Sequence, residues 1–142
     1  MQEIFNSYSL NNTENIAREV AGRLKKGDFI ALYGEMGAGK TAFVRGLVKE
    51  ILPECLPLVH SPTFAVVNEY AGKNLTVWHF DFYRLKDRDD LYSTGFYDYR
   101  TGENIIVTEW SGMFPDAVPD DAVRVTIGIE GENSRRIEVC WF

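Results

Sequence analysis

Residues 32–41 read Leu-Tyr-Gly-Glu-Met-Gly-Ala-Gly-Lys-Thr, with Gly34, Gly39, Lys40 and Thr41 at the spacing G-x-x-x-x-G-K-[ST]. Each position in that spacing has a mechanical task. The glycines let the backbone curl until its N–H groups converge on phosphate oxygens, and a helix starting at the lysine points its positive end at the same place. Lys40 is placed to reach the outer phosphates, and the Thr41 hydroxyl is a ligand for a divalent ion. The run Gly34, Glu35, Met36, Gly37, Ala38, Gly39, Lys40, Thr41 and Ala42 is therefore the expected nucleotide-phosphate segment.

The flanking residues give the loop the setting it needs. Residues 29–33, Phe-Ile-Ala-Leu-Tyr, form a short and fully apolar run, the pattern of a strand buried on both faces. After the loop Phe43, Val44, Leu47, Val48 and Ile51 recur at helical spacing, and Pro53 ends that helix. Upstream, residues 3–9 read as a strand. The polar run 11–14 suits a helix N-cap, Ile16, Ala17, Val20, Ala21 and Leu24 mark the buried stripe, and Lys25-Lys26-Gly27-Asp28 closes the helix. Downstream, residues 64–70 and 74–82 are β-rich and are joined at Ala71-Gly72-Lys73 as a hairpin. Residues 87–94 and 96–101 read as short helical pieces, and 104–108 as another buried strand. Alternating residues at 123–129 and 137–141 around the turn 131–134 predict a closing antiparallel hairpin. The expected architecture is one α/β domain over residues 1–142, a P-loop NTPase-like three-layer fold. Its mixed sheet would be parallel around the phosphate loop and antiparallel at the edges.

Composition narrows what such a domain can do. At 142 residues the chain is long enough to bury a substantial core, and 45% hydrophobic with 25% charged residues is ordinary globular usage. A net charge of −6 argues against wholesale binding of a nucleic-acid backbone, which needs a basic surface. Cys55 and Cys140 stand far apart and in no metal-ligand spacing, so they are expected as two reduced thiols packed in the core. No apolar stretch reaches the roughly 18 residues of a membrane span, and the N-terminus lacks an export pattern. A cytoplasmic protein without membrane association is the expectation.

A nucleotide held with magnesium also needs a carboxylate near the metal, usually at the end of a neighbouring buried strand. Two residues compete for that place. Glu109 ends the run 105–108 and suits orienting or activating a water, while Asp81 ends the run 75–80 and suits holding Mg²⁺ directly or through water. His79 lies two residues before Asp81 and shares its strand face, so it is expected to hydrogen-bond that carboxylate rather than act as a base. In His60-Ser61-Pro62-Thr63-Phe64, Thr63 is a candidate sensor of the γ-phosphate or its Mg²⁺, against the alternative of an ordinary turn. Arg84 is either a phosphate-neutralising cation or a surface ion-pair partner. The guanine-reading Asn-Lys-x-Asp quartet is absent, which favours adenine. No acceptor-binding insert follows the loop, which weakens a metabolite kinase; a noncatalytic, nucleotide-gated binding module stays open beside ATP hydrolysis.

The segments GEMGAGKTAFVRGL, HSPTFAVVNEY, HFDFYRL and VTEW, in this order, resemble the TsaE (YjeE) family over nearly the whole chain. Its members are small P-loop ATPases needed for threonylcarbamoyladenosine modification of tRNA. The resemblance implies ATP as substrate, Thr41 and Glu109 at the Mg²⁺ ion, and Asp81 as an essential acid beside it, with Lys40 completing the catalytic set. It implies a switch role for Ser61 and Thr63, and it makes Trp110 the tryptophan that responds to nucleotide state. Thr13 takes the place of a hydroxyl residue near the nucleotide, and Asn133 to Arg135 lie in a turn that approaches it. The implied partner is the heteromeric TsaB–TsaD complex, with tRNA met only indirectly. A second small-molecule site is then unnecessary, because nucleotide state is read by another protein.

Overall fold

The computed structural model describes residues 1–62 and 65–142. Among the described residues, seven strands form one sheet in the order β1-β7-β6-β2-β5-β4-β3. They are β1 (Gln2–Ser7), β2 (Phe29–Tyr33), β3 (Val67–Ala71), β4 (Thr76–Asp81), β5 (Asn104–Glu109), β6 (Val123–Ile129) and β7 (Arg135–Cys140). The helices are α1 (Leu10–Ala21), α2 (Lys40–Ile51) and α3 (Arg88–Ser93). Strand β2, which feeds the loop, pairs in parallel with β5 on one side and β6 on the other, and β4 continues the parallel set beside β5. The flanks β3–β4, β6–β7 and β1–β7 are antiparallel. The expected mixed sheet is present.

Two apolar cores flank the sheet, and the alternation of side chains along each strand divides them. In β2, Ile30 and Leu32 face the core shared with α1 and α2, while Phe29 and Ala31 face the other core, capped by Leu91 of α3 and by Phe96. That second core is aromatic: Phe96 meets Phe29, Phe80 and Phe82 edge-on at centroid distances of 6.1, 5.0 and 5.3 Å. Edge-to-face pairs of this kind add about 0.5–1.5 kcal/mol each beyond simple burial.

Helices α1 and α2 pack so closely that Gly46 carries no side chain at their crossing. A Cβ there would sit 2.3 Å from the Glu14 carbonyl oxygen and 2.6 Å from the Ala17 methyl. This approach brings the first turn of α1 to the rim of the phosphate loop. The cap of α1 is Ser9, whose hydroxyl accepts from the Asn12 amide, rather than residues 11–14; the helix starts earlier because Ser9 satisfies its orphan donors. It also ends at Ala21, before the basic run.

Three further expectations are corrected. Residues 96–101 contribute only a short 3₁₀ turn, Phe96–Asp98. Cys140 is exposed, on the outward-facing register of β7, and only Cys55 is a core thiol. The strand expected from residue 64 is described from Val67 onward, and Thr63 and Phe64 lie outside the described residues. Among the described residues, no helix is long and apolar enough to cross a membrane.

Candidate functional site

The C-terminal end of β2 opens into the loop, and α2 begins at Lys40 with Gly39 as its cap. Gly34, Gly37 and Gly39 have φ of 154°, 81° and 109°, values that residues with a Cβ rarely adopt. At Gly34 the conformational need joins a steric one, since a Cβ would lie 2.8 Å from the carbonyl oxygen of Ile127 on β6. The loop thus leaves the sheet pressed against its parallel neighbour.

A cleft of about 700 Å³ lies over the loop, and Met36, Gly37, Gly39, Lys40, Thr41 and Ala42 form its floor. Its walls come from Leu10 and Glu14 of α1, from Arg45, and from Ser61, Asp81, Tyr83, Arg84, Glu109 and Trp110. Gly34 and Glu35 face a neighbouring groove beside Trp110, and Ala38 is fully buried. Parallel pairing puts Asp81 at the end of β4 directly opposite Glu109 at the end of β5. Both carboxylates are buried, at 2% and 3% exposure, yet both line the cleft. Asp81 accepts from the Ser61 hydroxyl at 3.1 Å and from the Tyr83 amide at 2.9 Å.

Lys40 is held between these acids and its own loop. Its Nζ donates to the Gly34 carbonyl at 2.5 Å and lies 3.8 Å from the centroid of the Trp110 ring. Burial holds the ammonium below its ordinary pKa, and the negative charges of Glu109 and Asp81 oppose that shift. Trp110 has a left-handed backbone, φ 58°, and packs against Tyr83 with the rings tilted by 40° at a centroid distance of 5.0 Å. Ser111 braces this turn: its hydroxyl donates to the Leu32 carbonyl at 3.0 Å and meets the Thr108 hydroxyl at 2.8 Å.

Other candidates fall elsewhere. The Thr13 hydroxyl is buried against Ser7 of β1 at 2.7 Å, one turn away from the cleft-lining Leu10 and beside Glu14. Arg135 braces the loop from behind, donating from Nε to the Ala38 carbonyl at 3.0 Å and from Nη2 to the Gly37 carbonyl at 3.2 Å. Asn133 is exposed in the β6–β7 turn. Thr63 is outside the described residues. His79 does share a face with Asp81, but its Nε2 reaches Glu109 Oε2 at 2.5 Å instead. The adjoining strand offers a carboxylate across the sheet, so the expected bond within the strand is not the one formed.

The donor set is a hydroxyl and two carboxylates, all hard oxygen, which suits a magnesium ion rather than a softer metal. Among the described residues no group of three or more His, Cys, Asp or Glu forms a cage for a metal by itself. Magnesium commonly takes one or two carboxylates and fills the rest of its sphere from phosphates and water.

A strand, a left-handed glycine loop and a helix at the parallel centre of a three-layer α/β sheet define a P-loop NTPase-like fold. The chain belongs to the TsaE family: the profile for threonylcarbamoyl adenosine biosynthesis protein TsaE matches residues 7–137. Its relatives include the tRNA threonylcarbamoyladenosine biosynthesis protein TsaE of Rickettsia felis, 36% identical over 129 residues, 89% of this chain and 74% of that one. The protein of the same name from Aquifex aeolicus is 36% identical over 131 residues, covering 92% of this chain and 90% of its own. The crystal structure of Bacillus subtilis YdiB aligns with a TM-score of 0.76 at 25% identity, over 98% of this chain and 84% of that one.

Proposed function

We propose that the protein is a Mg²⁺-dependent ATPase of tRNA threonylcarbamoyladenosine biosynthesis, and that its nucleotide cycle drives or resets a TsaB–TsaD complex in the cytoplasm. The observation that carries the reading is the pairing of Asp81 and Glu109 at one end of the sheet, facing the cleft over Lys40 and Thr41. Family membership and the printed names of the relatives supply the pathway.

In this reading the loop amides and the first turn of α2 hold the β- and γ-phosphates of ATP, and Lys40 moves from the Gly34 carbonyl to their oxygens. Thr41, Asp81 and Glu109 would hold the magnesium ion, which would supply neutralisation of phosphate charge. Glu109 also orients the attacking water, and the exposed Ser61 bonds Asp81, so the state of the acids is felt at that surface residue. The output is a changed surface for a partner protein, and tRNA is met only through that partner.

Phosphate release from ATP, measured with and without TsaB and TsaD, tests the proposal. Wild-type protein should turn over slowly alone and faster with the partners, and Glu109→Gln should keep ATP binding while losing turnover by about 10²-fold or more. No phosphate release from wild-type protein in the presence of both partners would sink it. A Glu109 variant that still supports repeated rounds of tRNA modification would instead favour nucleotide gating without hydrolysis.

A further inference from the structure

Behind Glu109 three side chains from three adjacent strands are joined in series. Tyr70 of β3 places its hydroxyl 2.9 Å from Nδ1 of His79 on β4, and Nε2 of His79 lies 2.5 Å from Oε2 of Glu109 on β5. Tyr70, His79 and Glu109 are 1%, 0% and 3% exposed. A neutral imidazole has one N–H, and a carboxylate can only accept. In the neutral tautomer that bonds a carboxylate, Nε2 is the donor to Glu109 and Nδ1 is left to accept from the Tyr70 phenol. Burial raises the phenol pKa above its ordinary value and so keeps its proton available. The same hydroxyl meets Asn68 Nδ2 and the His60 carbonyl, each at 3.4 Å.

A core position could be filled by an apolar side chain without desolvating an imidazole. This chain instead runs a polar connection from an edge strand to the acid of the cleft. A glutamate side chain loses rotamer freedom when it is fixed, and an ordered partner removes that cost before the reaction begins.

We infer that His79, itself held by Tyr70, is a positioning residue that commits Oε2 of Glu109 to the sheet and so directs the remaining oxygen, Oε1, into the cleft. The inference rests on the ATPase reading above. It assigns His79 no contact with nucleotide and no proton transfer.

The test compares wild-type protein with Glu109→Gln, His79→Ala, His79→Gln and Tyr70→Phe. It measures kcat and KM for ATP in the presence of TsaB and TsaD, calorimetric ADP affinity with and without magnesium, and thermal unfolding. His79→Ala should lose about 10–100-fold in kcat with KM and metal-free ADP affinity unchanged, and magnesium should strengthen ADP binding about tenfold less than in wild type. His79→Gln, which keeps an N–H donor, should recover most of the loss, and Tyr70→Phe should fall between. Wild-type kcat in His79→Ala, a change confined to KM, or a glutamine variant no better than alanine overturns the inference. If His79→Ala does not fold, wild-type behaviour of Tyr70→Phe in both assays overturns it. If wild-type protein releases no phosphate, the ATPase reading fails, and the magnesium dependence of ADP binding still decides the role of His79.

Discussion

The Lys40 ammonium rests against the face of the Trp110 indole, 3.8 Å from Nζ to the ring centroid, while donating to the Gly34 carbonyl. A cation over an indole gains about 0.5–2 kcal/mol, and that contact is given up when the ammonium turns to a phosphate. ATP should therefore change Trp110 emission. The other two tryptophans lie elsewhere, Trp78 against Tyr99 and Trp141 beneath Arg23, so Trp110→Phe should remove the whole response. A nucleotide-dependent signal that survives in Trp110→Phe contradicts this arrangement.

Lys40 should also leave a mark on stability against pH. Its folded pKa lies below 10.5, the value taken for the unfolded chain. Below both values the ammonium is charged in either state, and its desolvation is a constant cost. Between them the unfolded chain holds a proton that the folded chain has released, so stability rises with pH through that window. Lys40→Met removes the effect. Urea unfolding from pH 7 to pH 10.5 should show wild type gaining on the methionine variant as pH rises; parallel curves would contradict it.

Gly46→Ala should destabilise the fold although alanine is the better helix former by about 1 kcal/mol. The added methyl meets backbone of α1 at 2.3 Å, so the helices must separate, at about 1–3 kcal/mol net. Because α1 carries Leu10 and Glu14 to the cleft, nucleotide affinity should fall with the melting temperature. Chemical denaturation and calorimetry check both.

Arg135→Ala should weaken ATP binding about tenfold and lower the melting temperature by several degrees. The guanidinium ties the carbonyls of Gly37 and Ala38 from outside, and hydrogen bonds from a charged donor contribute about 1.5–3 kcal/mol. Arg135→Lys should not restore affinity, because one ammonium cannot reproduce a planar fork. Equal affinity in all three proteins would show that the loop holds its shape alone.

Much of this was legible in residues 29–51, where a strand, a glycine pattern and a helical stripe follow one another and each has its own local signal. The acids were also legible, since Asp81 and Glu109 end apolar runs. What could not be read was pairing across the sheet. Period-two spacing places His79 and Asp81 on one face, but nothing in one strand says that the next offers Glu109 at bonding distance. The same limit hid the close helix crossing at Gly46 and the reach of Arg135 across 97 residues of chain to Ala38. Ser9 was missed as a cap because Asn11, Asn12 and Thr13, just after it, also carry cap-forming side chains.

Asp81 and Glu109 stand on neighbouring parallel strands at the same rung of the ladder. Their separation is governed by strand spacing, not by any loop. A designer who transplanted only the ten residues from Leu32 to Thr41 onto a foreign scaffold would carry over the anion cradle without its acidic corner. To move this site, β4 and β5 must travel together with their alignment preserved, and a slip of one residue in either would turn one acid towards the aromatic layer.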